Sequence, residues 1–205
     1  MKVKICGIRS VEAAGHAVQC GVDALGFVFA RSKRQITALE ARNIIETLPK
    51  EVWKVGVFVN ENAETIKRIA ETAGLTHIQL HGDENLEDYQ SIELPLLKAY
   101  SIQFPQDLEK MDTITADYIL LDSPPAEYHG GNGSSFEWDL AEAIGMTKTN
   151  IILAGGLNPE NIGKAIRKIK PFMVDVSSGV ETNGEKDLTK IQDFITKAKN
   201  AGEEM

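Results

Sequence analysis

Positive charge is in short supply in this sequence: 22 Lys and Arg stand against 30 Asp and Glu, for a formal net charge of -8. Nucleic acids and anionic membrane surfaces both require a basic footprint, so neither is expected as a partner. A small anion is still a possible ligand, because a local nest of backbone N–H groups binds phosphate whatever the global charge. Cysteine is almost absent. Cys6 and Cys20 are too few for a disulfide framework, and Cys20, closing an apparent helix just before Gly21, reads as a buried space-filler. No apolar run approaches the roughly 18 residues of a membrane span, and the first residues lack the basic, apolar and small-residue sections of a signal peptide, so a cytoplasmic location is expected. Of the histidines, only His77 and His81 lie close together, without the Cys or His partners of a closed zinc site, so no metal is expected. No Gly-x-Gly-x-x-Gly turn follows the first apolar segment, as it would in a dinucleotide-binding open sheet.

What is present is a regular beat. With 205 residues, 42% hydrophobic and 25% charged, the chain has the composition of one soluble globular domain spanning residues 1–205. Strand-like segments rich in Val, Ile, Leu or Phe are predicted at Lys2 to Cys6, Ala24 to Phe29, Lys54 to Val59, His77 to Leu80, Leu96 to Ala99, Tyr118 to Asp122, Ile151 to Ala154 and Met173 to Val176. Helical periodicity separates them, clearest at Leu39 to Leu48, Ala63 to Ala73, Ile162 to Ile169 and Leu188 to Ala198. Thr37 and Glu40 form a capping box, Pro159 is placed to open the seventh helix after Asn158, and Gly21 and Gly74 follow helix ends. Unit five offers only a short helix at Gln103 to Met111, and unit six is expected to reduce to a turn around Trp138. Repeated strand and helix demand parallel pairing through right-handed crossovers. Eight units then predict an α/β fold, a single (β/α)8 (TIM) barrel with eight parallel strands.

Polar residues gather where these strands end: Cys6, Gln79 with His81, Lys98, Asp122, Asp175 and Ser177. The C-terminal rim of such a barrel carries its catalytic side chains. In the first strand, alternation places Lys2, Lys4 and Cys6 on one face and Val3 and Ile5 on the other; that face is expected at the barrel mouth, with the lysine heads reaching water. The turns after strands seven and eight, Gly155-Gly156 and Ser177-Ser178-Gly179, are suited to phosphate, with a short helix starting at Ser178 to aim its positive end inward. Asp122 is placed to act as acid, base or metal ligand, and Cys6 is its counterpart across the ring. A mobile glycine-rich loop, His129 to Gly133, follows Asp122. Lys98 could form a Schiff base or simply pair with a carboxylate, and Arg34 could fork onto a substrate carboxylate.

Taken together, Lys4-Ile-Cys-Gly-Ile8, Gly26-Phe-Val-Phe29, Ser32-Lys-Arg34, Val55-Gly-Val-Phe-Val-Asn60, Gln79-Leu-His-Gly82, Leu121-Asp122, Ala154-Gly-Gly-Leu-Asn-Pro159 and Asp175-Val-Ser-Ser-Gly-Val180 resemble the phosphoribosylanthranilate isomerases of tryptophan biosynthesis. The resemblance covers nearly the whole chain. It implies a cofactor-free Amadori rearrangement of a small phosphorylated substrate by a monomer or homodimer. Carried over residue by residue, it makes Cys6 the general base and Asp122 the general acid. It places Arg34 near the anthranilate carboxylate, and Gly155, Gly156, Ser177, Ser178 and Gly179 around the phosphate. Gln79, His81 and Asp175 are expected to touch substrate. The family often has a lysine after the glycine-rich loop, where this chain has Ser134, so loop contacts to substrate are left open. The rival readings are another phosphosugar barrel, such as an indole-glycerol-phosphate synthase or a Schiff-base aldolase, and a non-catalytic phosphate-ligand sensor.

Overall fold

A computed structural model describes residues 1–101, 115–122 and 150–203. Eight parallel strands form a closed barrel in chain order: β1 (Lys2–Cys6), β2 (Ala24–Val28), β3 (Trp53–Phe58), β4 (His77–Leu80), β5 (Leu96–Ser101), β6 (Tyr118–Asp122), β7 (Ile151–Leu153) and β8 (Met173–Val176). The ring closes where β1 pairs with β8, from Lys2 opposite Met173 to Ile5 opposite Val176. Each strand lies where alternation and composition place it, with ends displaced by a residue or two.

The α-helices among the described residues are α1 (Val11–Gln19), α2 (Ala38–Ile45), α3 (Ala63–Ala73), α4 (Ile162–Ile169) and α5 (Leu188–Glu203). Their ends follow local chemistry. The Glu40 N–H donates to Thr37 Oγ1 at 3.3 Å while the Thr37 N–H donates to Glu40 Oε2 at 2.9 Å, completing the capping box of α2. Gly74 ends α3 with φ 77°, in the left-handed region. Helix α4 starts at Ile162 instead of Pro159, because Asn158 Oδ1 accepts the N–H groups of Glu160 and Asn161 and holds those residues in a preceding turn. Unit four departs from expectation more strongly: its crossover contains only a 3-10 turn, Leu86–Tyr89. Asn85 caps that single turn, and the Tyr89 hydroxyl donates to the Glu61 carbonyl at 2.8 Å, tying it to the segment before α3. The helix expected at Gln103 to Met111 and the turn around Trp138 lie outside the described residues.

Alternation divides the apolar residues into two cores. Val3, Ile5, Leu25, Phe27, Ile78, Leu80, Ile119 and Leu121 face outward to the helices. Ala24, Val55, Leu97, Ala99, Leu120, Ile152 and Met173 fill the barrel. The N-terminal end of the barrel is plugged by aromatic rings at strand starts. Trp53 stacks on His77 with centroids 4.0 Å apart and leans on Tyr118 at 5.1 Å, and Tyr118 stacks on Phe172 at 5.3 Å. The Lys2 ammonium sits 4.7 Å from the Phe172 centroid and 5.0 Å from that of Trp53. Burial here holds His77 down at about 4, against an ordinary value of 6.5. A ligand entering the barrel must therefore come from the opposite rim.

Candidate active site

Cys6 is the last residue of β1 and faces inward with Lys2 and Lys4. The lysines do not reach water as expected. Lys4 is fully buried inside the barrel, and its Nζ donates to Asp175 Oδ2 at 2.8 Å. The inward face of a closed eight-stranded barrel is packed interior, so a cation there requires a partner, and Asp175 sits opposite Lys4 in the β1–β8 register. The pair makes the Lys4 ammonium harder to deprotonate than usual, despite a burial that alone would do the reverse. Cys6 has room only because its neighbour on β2 is Gly26: a Cβ there would lie 2.8 Å from the Cys6 Sγ. Burial raises the Cys6 thiol above its ordinary value; Lys4 and Lys186 pull against this, and Asp175 reinforces it.

Across the barrel, Gln79, His81 and Asp122 form a chain. The Gln79 amide lies 2.8 Å from His81 Nδ1, and His81 Nε2 lies 3.2 Å from Asp122 Oδ2. Gln79 is buried, whereas the side chains of His81 and Asp122 are 35% and 36% exposed, open to a ligand at the rim. Asp175, expected to touch substrate, is instead engaged by Lys4 through one oxygen, while its Oδ1 is buried without a hydrogen-bond partner.

Between Cys6 and the turn after β8 lies a cluster that the sequence did not bring forward. Glu181–Thr182 and Glu185–Lys186 pair as a small antiparallel hairpin, β9 and β10, turned by Asn183 and Gly184 with φ 53° and 82°. Asn-Gly between short polar segments is the type I′ hairpin signal, legible in the sequence but carrying no visible chemistry. The hairpin aims Glu181 and Lys186 at the site. Arg34 donates through Nε to Glu181 Oε1 at 2.6 Å and through Nη2 to Oε2 at 2.8 Å, and Lys186 donates to Glu181 Oε1 at 2.9 Å. Burial would raise the Glu181 carboxyl, but these bonds outweigh it and hold the group at about 2. Arg34 is therefore not a free fork. Its side-on edge, Nε and Nη2, is taken by Glu181.

The two expected phosphate turns meet directly. A Cβ on Gly179 would fall 1.9 Å from the Leu157 carbonyl oxygen, so only glycine lets the β8 turn lie against the β7 turn. Gly155 and Gly156 take φ of 77° and 60°. Ser178–Val180 is a single 3-10 turn, the short helix expected there. The Ser177 hydroxyl donates to the Cys6 carbonyl at 3.2 Å, and Lys186 Nζ donates to the Ser177 carbonyl at 2.8 Å, tying this turn to the thiol and to the hairpin.

Lys98 faces away from this rim. On β5 it alternates with the inward Leu97 and Ala99 and shares its side with Leu96 and Tyr100, which pack on the outer core. Its ammonium donates to Glu84 Oε2 at 2.9 Å and to the Gly82 carbonyl at 2.6 Å. It pins the turn after His81, which removes Lys98 as a Schiff-base candidate. Cys20, read as a buried space-filler, is only partly buried against the outer core, 3.6 Å from His16 Nε2. Among the described residues no group of three or more His, Cys, Asp or Glu could hold a metal, and no described helix is long and apolar enough to cross a membrane. The glycine-rich loop at 129–133 lies outside the described residues.

Comparison with known proteins points to one family. The N-(5'-phosphoribosyl)anthranilate (PRA) isomerase family profile matches residues 3–197. An N-(5'-phosphoribosyl)anthranilate isomerase of Bacillus mycoides is 54% identical over 200 residues, covering 97% of this chain and 98% of its own. The crystal structure of phosphoribosyl anthranilate isomerase from Thermotoga maritima superposes with a TM-score of 0.90 at 43% identity, covering 98% of this chain and 99% of its own. A phosphoribosyl anthranilate isomerase crystallised with reduced 1-(o-carboxyphenylamino)-1-deoxyribulose 5-phosphate superposes with a TM-score of 0.87 at 41% identity, again covering 98% and 99%. The inward thiol and carboxyl, the paired glycine turns and a match along almost the full chain place this protein in the N-(5'-phosphoribosyl)anthranilate isomerase family.

Proposed function

We propose that this isomerase carries out the Amadori rearrangement of N-(5-phosphoribosyl)anthranilate to 1-(2-carboxyphenylamino)-1-deoxyribulose 5-phosphate, in the cytoplasm, with Asp122 as general acid and Cys6 as general base. The observation that carries the reading is the placement of both groups. Cys6 ends β1 and Asp122 ends β6, both on the inward register at the open rim, next to turns suited to phosphate. Protonated Asp122 donates to the furanose ring oxygen, the C1–O bond breaks, and the anthranilate nitrogen becomes part of an iminium. Cys6 then takes the C2 proton, the electron pair neutralises the iminium to give an enolamine, and tautomerisation gives the ketone. The order follows from the electrostatics. Burial keeps the resting Cys6 as a thiol, and the iminium created by the acid step brings a positive charge that favours the thiolate. The Gly155-Gly156 and Ser177-Ser178-Gly179 turns bind the phosphate, Arg34 meets the anthranilate carboxylate, and the fold acts as one catalytic barrel over 1–205.

Loss of anthranilate fluorescence with freshly prepared phosphoribosylanthranilate tests the reading. Cys6→Ala and Asp122→Asn are each expected to lower kcat by about 100-fold or more, with binding of a phosphorylated product analogue within about threefold of the parent. Near-normal turnover in either variant refutes that residue's role.

A further inference from the structure

The turn that follows His81 is gripped at three backbone groups by side chains that the proposed chemistry does not use. Glu84 folds back on it and accepts the Gly82 N–H through both oxygens, at 3.0 Å and 2.8 Å. The Gly82 carbonyl accepts from Lys98 Nζ at 2.6 Å, and the Asp83 N–H donates to Asn60 Oδ1 at 2.9 Å. Glu84 also accepts the Asn60 N–H at 2.8 Å and the Lys98 ammonium at 2.9 Å, closing the network. It has no slack: a Cβ on Gly82 would lie 2.4 Å from Asn60 Oδ1 and 2.9 Å from Glu84 Oε1.

These side chains come from three adjacent units. Asn60 follows β3 with φ 52°, Glu84 follows β4, and Lys98 lies on β5 opposite Leu80 in the β4–β5 register. The residue they bracket is His81, whose N–H donates to the Phe58 carbonyl at 2.9 Å and whose Nε2 lies 3.2 Å from Asp122 Oδ2. Stability alone is a poor reason for such a pair. The side chains of Lys98 and Glu84 are 4% and 0% exposed, and a buried ion pair is often no more stabilising than well-packed apolar residues in its place. A pair whose hydrogen bonds are filled does, however, admit fewer arrangements than apolar packing. We propose that Glu84, Lys98 and Asn60 are positioning residues, a clamp on the 81–83 backbone that keeps the His81 ring in place beside Asp122 at the open rim. Misplacing a group at a reacting centre by about 1 Å can cost on the order of 100-fold in rate. The inference rests on His81 lying in the active site proposed above.

A double-mutant cycle against His81→Ala separates positioning from stability. Turnover is followed by loss of anthranilate fluorescence with phosphoribosylanthranilate, on variants whose urea unfolding curves show them folded under the assay conditions. Lys98→Met removes the bond to the Gly82 carbonyl and the counter-charge of Glu84, and should lower kcat about tenfold or more. In the His81→Ala background the same change should lower kcat by less than about twofold, since no ring is left to place. Asn60→Gly accepts the left-handed φ and deletes only the bond to Asp83, so it should fold, lower kcat about threefold or more, and lose that effect in the His81→Ala background. It decides alone if Lys98→Met does not fold. Equal losses in both backgrounds, clamp variants with kcat within about twofold of the parent, or normal turnover by His81→Ala would each overturn the proposal. Normal turnover in Asp122→Asn would instead remove the acid assignment, with the His81 cycle still deciding the clamp.

Discussion

Replacing Lys4 with Met tests whether the barrel interior is as dry as its packing indicates. Lys4 is fully buried, and Asp175, 7% exposed, has one oxygen on the Lys4 ammonium at 2.8 Å and the other without a partner. Removing the cation strands a carboxylate whose two oxygens are then both unsatisfied. Breaking a buried pair from one side costs about 3–5 kcal/mol, and the Coulomb attraction of two charges ~4 Å apart at an effective dielectric of ~20 is of the same size. Met matches the volume of Lys closely, so a cavity contributes little. Urea unfolding followed by tryptophan fluorescence should therefore show a loss of about 3–5 kcal/mol for Lys4→Met. Lys4→Met with Asp175→Val removes both desolvation penalties, and should return to within about 2 kcal/mol of the parent. The same single variant removes the stronger of the two cations that restrain the Cys6 thiol, so alkylation by iodoacetamide at fixed pH should slow several-fold. A single variant costing under ~1 kcal/mol, or a double variant as unstable as the sum of the singles, would mean that water reaches the pair and that the reasoning is wrong.

The aromatic plug predicts a pH dependence of stability. His77 is held at about 4 against 6.5 in the open chain, so above pH 6.5 it is neutral in both states, and between 6.5 and 4 the unfolded chain binds the extra proton. Stability should fall by up to about 3 kcal/mol as pH drops through that interval and level off below it; His77→Asn should lack this component, and an unchanged pH dependence in the variant would refute the assignment. Gly179→Ala should push the β7 and β8 turns apart, because its Cβ would fall 1.9 Å from the Leu157 carbonyl oxygen. The expected result is a KM raised about tenfold with kcat less affected, and an unchanged KM would show that the contact does not shape the phosphate site.

Most of the barrel was legible because its strands carry their own signature. Val3 and Ile5 alternate with Lys2, Lys4 and Cys6, and the outward set does pack against helices. The reading failed where alternation fixes a face without saying what covers it. The Lys4 face was assigned to solvent, yet ring closure puts Asp175 of the last strand beside the first, a pairing 171 residues apart that no local pattern announces. Unit four, whose crossover holds only the 3-10 turn Leu86–Tyr89, is likewise set by contacts: Asn85 caps the turn and Tyr89 tethers it to Glu61. Glu181 and Lys186 escaped notice because each is an ordinary charged residue in a polar stretch. Only the Asn183-Gly184 turn makes them converge on Arg34.

That convergence changes how the rim is organised as a charged surface. Arg34, Lys186 and Glu181 form one unit with Ser177, so the guanidinium expected to meet the aromatic carboxylate and the turn expected to meet the phosphate share a scaffold. Glu181 cancels part of the positive charge while fixing the orientation of what remains, and its low proton affinity keeps the scaffold ionised throughout the neutral range. Cys6 adjoins the same unit through the Ser177 hydroxyl on its carbonyl. Asp122 depends on a separate chain through His81 and Gln79. The groups proposed as acid and base are thereby held by different residues on different strands.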